Sequence, residues 1–200
     1  GLAGGYKPVD ERSAETLRPL VEPEDVLWIQ EYHMFPLGQE LRDRGSRNRI
    51  GFSLHIPWPP RRLLATLPEA AALVETMFAY DLVGFHTREW LEAFCDYAVH
   101  ELGATIEGDR LVRGERTLRV IVAPIGIDAK EFIQGANGPT ARLAHRNMRD
   151  SAVGRDMIVG VDRLDYSKGL EERFAGYQRF LAEHPEERKE VFLLQIAPPS

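Results

Sequence analysis

Five short apolar runs, at residues 25–30 (D-V-L-W-I-Q), 49–55 (R-I-G-F-S-L-H), 82–85, 157–162 and 191–197, are separated by stretches in which apolar residues recur at helical spacing. Runs of about 4–8 residues are too short for buried helices, and their alternation with helical patterns prescribes an α/β fold with a parallel sheet of the doubly wound kind. The first run follows a turn-prone P-E-D and reads as a buried parallel strand. The second ends in I-P-W-P-P, where proline removes ladder donors and forces a loop at the strand's carboxyl end. Helices are expected at 37–44, stopped by Gly45; at 63–79, broken at Pro68; and at 87–102, with Thr87 and Glu89 near the start and Gly103 as the stop. Residues 105–124 read as a strand or hairpin region, with turns at E-G-D-R and R-G-E-R.

The rhythm breaks at P-I-G-I-D-A-K-E-F, residues 124–132, and at the Q-G-A-N-G-P that follows, the best position for a domain boundary or hinge. Beyond it, helices at 140–150 and 169–183 and strands at 157–162 and 191–197 make a fresh β-α-β start. Two domains follow, 1–130 and 131–200, both partial. The chain begins with Gly1 and stops at Ser200 directly behind an apolar run, as an internal piece of a longer protein would.

Composition narrows the function. A formal net charge of −6 and a pI near 5.6 argue against nucleic acid, which demands a basic face, so an anionic ligand must be met by a few local cations. One cysteine, Cys95, excludes an internal disulfide framework and reads as a small buried hydrophobe on a helix. No apolar run reaches the roughly 18–20 residues that span a bilayer, and no signal peptide is visible, so a cytoplasmic location is expected.

Three strand ends carry residues that could do chemistry. In V-D-R-L-D-Y-S-K-G-L, Arg163 and Lys168 sit in the loop between a strand and a helix, where open α/β sheets bind ligands and a helix start offers free N–H groups. A guanidinium fork and a compact ammonium suit a diphosphate, and Gly169 lets backbone approach closely. The alternative is a solvated surface on which both cations pair with Asp162, Asp165, Glu171 or Glu172. His55, at the end of the second run, can donate to a sugar hydroxyl or a leaving phosphate oxygen, or be structural. Glu31 and His33, in W-I-Q-E-Y-H, reach toward the same crevice; a helix cap or loop salt bridge is the alternative. His86, His100, His145 and His184 have no such context and read as structural. Metal chemistry finds no H-E-x-x-H, paired cysteines or D-x-D, and a G-x-G-x-x-G dinucleotide fingerprint is absent.

The series W-I-Q-E-Y-H-M, N-R-I-G-F-S-L-H-I-P-W-P, D-L-V-G-F-H-T, P-I-G-I-D, V-D-R-L-D-Y-S-K-G-L-x-E-R-F and L-L-Q-I-A-P-P-S, in that order, resembles glycosyltransferase family 20. The resemblance implies a GT-B architecture: two Rossmann-like domains facing a cleft, with most of the acceptor-side domain here and the first β-α-β unit of the sugar-nucleotide-binding one. It implies retaining, metal-independent transfer of glucose from UDP-glucose to glucose 6-phosphate, giving trehalose 6-phosphate and UDP. No cofactor, nucleic acid or membrane is then involved, and homo-oligomerisation is left open. By the same resemblance Arg163 and Lys168 hold the UDP-glucose diphosphate, His55 faces the donor sugar, and Ile56 helps select the α anomer. Where the family reads H-D-Y-H this chain has Gln30, Glu31, Tyr32 and His33. Glu31 keeps the acceptor-contacting carboxylate but extends it by roughly 1.5 Å, enough to shift a hydrogen bond in a closed site. Family members with other acceptors, making glucosylglycerol phosphate or validoxylamine phosphate, therefore stay open, as does an inactive sugar-nucleotide-binding regulatory domain. The phenylalanine usual after I-P is Trp58 here, a packing adjustment. A fragment lacking the family's flanking segments is not expected to turn over alone.

Overall fold

The computed structural model describes residues 3–199, with side chains from Pro8 onward. The chain divides into two compact units, Gly1–Gly126 and Ile127–Ser200.

The first unit runs α1 (Ala3–Leu17), β1 (Val26–Gln30), α2 (Leu37–Asp43), β2 (Arg49–Leu54), α3 (Arg61–Leu64), α4 (Ala70–Glu75), β3 (Leu82–Phe85), α5 (Arg88–Leu102), β4 (Thr105–Glu107), β5 (Arg110–Arg113) and β6 (Arg116–Val122). Its sheet has the order β1-β2-β3-β6-β5-β4. The first four strands are parallel, but β5 and β4 run antiparallel, so the sheet is mixed rather than purely parallel. The reason is local: Gly108 and Gly114, at φ 64° and 61°, close turns too tight for any parallel crossover.

β1 is the last strand of the described sheet; in it Ile29 is buried, and Val26 and Trp28 are each 69% exposed. The core lies behind β2 and β3, where Phe52, Leu54, Val83 and Phe85 pack with Phe94 and Tyr97 of α5. Trp58 fills this core edge-on to Phe85 and Phe94, with centroids 6.1 and 4.9 Å away, so the larger aromatic does serve packing. Cys95 is only partly buried against that core, and burial raises its thiol to about 11, which keeps it protonated and unreactive. Helix ends follow their chemistry: Thr87 accepts from the Trp90 N–H at the start of α5, and Gly103 ends it at φ 69°. Gly38 is required for another reason: a Cβ there would lie 2.7 Å from Cζ of Tyr80, whose hydroxyl accepts from the Gly38 N–H and donates to the Met34 carbonyl.

The second unit comprises α6 (Ala129–Ala136), α7 (Pro139–Ala152), β7 (Asp156–Val161), α8 (Leu170–Glu183) and β8 (Val191–Ile196), with β7 and β8 parallel. The stretch read as a pure break thus contains a helix. Asp128 caps it by accepting from the Lys130 and Glu131 N–H groups, and Ala129, Phe132, Ile133 and Ala136 fall on one face. The pattern leaves α1 unread as well, because Pro8 lies inside it. No described helix is long and apolar enough to cross a membrane.

Candidate functional site

Parallel strands put their carboxyl ends at one edge of the sheet, and in the first unit β1, β2 and β3 deliver Gln30, His55 and His86 there side by side. His55 Nε2 lies 2.9 Å from Gln30 Oε1, and His55 Nδ1 lies 3.1 Å from His86 Nε2. The two imidazoles meet edge to face with centroids 5.0 Å apart, and His86 stacks on Trp90 at 6.0 Å. His86 is therefore no isolated structural histidine but a contact of the principal candidate. The motif D-L-V-G-F-H-T carried one usable sign, since its histidine follows a strand end as His55 does. Strand order decided the rest.

Glu31 directly follows β1 with φ 77° and ψ 136°, a region L-residues rarely occupy. Strain of this kind costs on the order of 1–3 kcal/mol and collects at functional loops. Its carbonyl accepts from the Met34 N–H in a short turn, and its side chain is exposed. His33 is also exposed, its ring 3.7 Å from that of Tyr32. Ile56 is 39% exposed just beyond His55. Glu31, His33, His55 and Ile56 thus share one end of the first unit. A recess of about 350 Å³ lined by Arg18, Arg44 and Arg47 opens instead where β1 and β2 begin, away from these residues.

In the second unit the loop from Asp162 to Gly169 links β7 to α8. Asp162 accepts from Arg173 at 2.6 Å, and Arg173 also donates to Gln195 Oε1 at 2.6 Å. Gly160 lies under this clamp, where a Cβ would come 2.3 Å from Gln195 Oε1. Asp165 accepts from the Ser167 N–H at 2.8 Å. That hydrogen bonding, chiefly with Ser167, aided by the charges of Arg163 and Lys168, holds its carboxyl below the usual range. Gly169, at φ 61°, opens α8. Of the four carboxylates of the solvated-surface alternative, Asp162 is engaged by Arg173 and Asp165 by its own turn, while Asp165 also feels the charges of Arg163 and Lys168. Among the described residues neither Arg163 nor Lys168 forms an ion pair within 4.0 Å, and both are exposed.

The model of glycosyltransferase family 20 matches residues 3–200. The chain belongs to this family. A trehalose-6-phosphate synthase of Sinorhizobium fredii is 41% identical over 197 residues, which is 98% of this chain and 42% of that protein. Among solved structures, an α,α-trehalose-phosphate synthase of Burkholderia xenovorans in complex with glucose-6-phosphate matches at 41% identity and a TM-score of 0.80, covering 98% of this chain and 44% of that one. An E. coli protein bound with UDP-2-fluoro glucose matches at 38% identity and 0.82, over 98% and 44%. The chain spans less than half the length of these relatives. Its fold class is α/β of GT-B type, most of one Rossmann-like domain and the first β-α-β unit of a second.

Proposed function

We propose that this chain is part of a retaining, metal-independent enzyme that transfers glucose from UDP-glucose to glucose 6-phosphate, forming trehalose 6-phosphate and UDP. The observation that supports this reading is the pair Arg163 and Lys168, both exposed in the loop before α8 and, among the described residues, in no ion pair within 4.0 Å. The first unit then serves as the acceptor-side domain and the second as the start of the sugar-nucleotide-binding one.

In this reading Arg163 grips diphosphate oxygens with its fork and Lys168 adds a compact charge, so the departing UDP is neutralised by the protein and no metal is assigned. The bond from glucose C1 to the diphosphate oxygen breaks on the same face on which the anomeric oxygen of the acceptor bonds to C1. The acceptor's proton passes to the β-phosphate oxygen of UDP, so configuration is retained without a protein nucleophile. His55 is assigned to the donor sugar, Ile56 to selection of the α anomer, and Glu31 to the acceptor. Catalysis rests on positioning and on stabilising the leaving group's charge. A cytoplasmic location belongs to the same proposal.

Glu31 supports a second reading, a related enzyme with a different acceptor, because its longer carboxylate departs from a backbone already held at φ 77°. Assay of the full-length protein with UDP-glucose and a panel of acceptors separates the readings. Preference for glucose 6-phosphate supports the first and another acceptor the second, whereas binding without turnover indicates an inactive regulatory domain. In the same assay Arg163→Ala and Lys168→Ala should each cost on the order of 2–4 kcal/mol of transition-state stabilisation and weaken UDP binding, with circular dichroism unchanged. Unaltered UDP affinity in both variants would remove the basis of the proposal. Glu31→Asp should preserve or raise activity with glucose 6-phosphate; a collapse would show that the longer side chain is itself required.

A further inference from the structure

The three-residue row at the ends of β1, β2 and β3 contains more than a candidate sugar contact. Gln30 Oε1, which can only accept, lies 2.9 Å from His55 Nε2 and favours a proton there. In the neutral ring Nδ1 is then a bare lone pair, and the 3.1 Å bond to His86 has to be donated by His86 Nε2–H. In the opposite arrangement His55 Nδ1–H donates to a bare Nε2 of His86, and the Nε2 lone pair of His55 then faces the Gln30 oxygen, an arrangement the acceptor-only amide oxygen disfavours. His86 is in turn held by its stack on Trp90 in α5 and is half-buried.

We infer that His86 is a positioning residue that fixes the tautomer and ring orientation of His55, so that His55 presents Nε2–H, a donor, to an oxygen of the sugar. The inference deepens the glucosyl-transfer reading and rests on it for the identity of that sugar. A ligand hydroxyl can replace Gln30 Oε1 as the acceptor without moving the proton on His55, so the free protein already carries the hydrogen-bond polarity that the bound state uses.

The test uses the full-length protein with nitrogen-15 histidine and two-bond proton–nitrogen correlation spectra. The wild type should show His55 as the Nε2–H tautomer. His86→Phe keeps an aromatic ring against Trp90 but has no donor, and should give a mixture of His55 tautomers. His86→Gln, whose amide can donate to Nδ1, should restore the Nε2–H form. In glucosyl transfer His86→Phe should lower kcat/KM for UDP-glucose about tenfold, the equivalent of one neutral hydrogen bond, with KM for the acceptor unchanged, and His86→Gln should recover it to within about threefold. An unchanged His55 tautomer in His86→Phe, failure of His86→Gln to restore it, or an acceptor KM that moves with the donor's would each overturn the inference. If the full-length protein transfers no glucose, the proposed reaction falls, and the tautomer spectra still decide the role of His86.

Discussion

The two units differ in where their order comes from. The first has a six-stranded sheet and a sealed interior in which Phe52, Phe85, Phe94, Tyr80 and Tyr97 are all but fully buried. The second has a single strand pair, and Met157, Ile158, Val159, Val161 and Ile196 are all exposed. Its loop is nonetheless the more explicit of the two candidate sites, because it is held by hydrogen bonds of its own: the Asp165 turn, the Gly169 helix start and the Arg173 clamp. Precise local geometry does not require a deep core, whereas bringing remote strand ends together does.

Mutation tests that contrast directly. Phe94→Ala should cost about 3–5 kcal/mol in the denaturant midpoint of the first unit, since the ring lies 4.9 Å from Trp58 and 5.1 Å from Phe85 with no exposure. Leu170→Ala, at one of the few buried side chains of the second unit, should cost only about 1–2 kcal/mol, below the range for sealed cores. Equal losses would abolish the distinction between the units.

A smaller effect separates them by pH. Asp10 is fully buried in the first unit, and neither carboxylate oxygen has a hydrogen-bond partner among the described residues. Burial, with the charge of Glu40 in addition, raises it from the ordinary 3.8 to about 6. Between those values the folded state holds the extra proton, so stability falls as pH rises and the full penalty is present above about 6. Asp10→Asn should therefore stabilise the first unit by on the order of 2–3 kcal/mol at neutral pH and by almost nothing below the ordinary value. A pH-independent gain would refute that origin. Asp165 has the opposite sign: its depressed carboxyl contributes stability above the ordinary value and loses it as pH falls through the folded one.

The smallest expected effect sharpens the comparison at a backbone position. Val153 ends α7 at φ 54°, a left-handed conformation that a β-branched residue adopts only under strain, and its side chain is exposed. Val153→Gly should raise the thermal midpoint, corresponding to about 0.5–1 kcal/mol. A loss would mean that the valine methyls contribute packing.

Reading by periodicity found β2, β3 and α5 within a residue or so, because proline at 57, a Thr87 cap and a Gly103 stop act on their immediate neighbours. It missed α6, whose four-residue apolar stripe is flanked by glycine and proline on both sides. Arg163, Lys168 and Gly169 were legible as a group since six or seven residues of loop contain them all. His86 was not, because its partner is 31 residues away and Gln30 is 25 residues from His55.

What the amino-acid order determined by itself is therefore whatever a few neighbouring residues can enforce: helix caps and stops, proline-forced loops, and two cations before a glycine at a helix start. Only the tertiary structure decided the burial of Asp10 and the row Gln30–His55–His86. Each depends on strand order and register, and those are set by the packing of segments far apart in the chain, where no local spacing rule reaches.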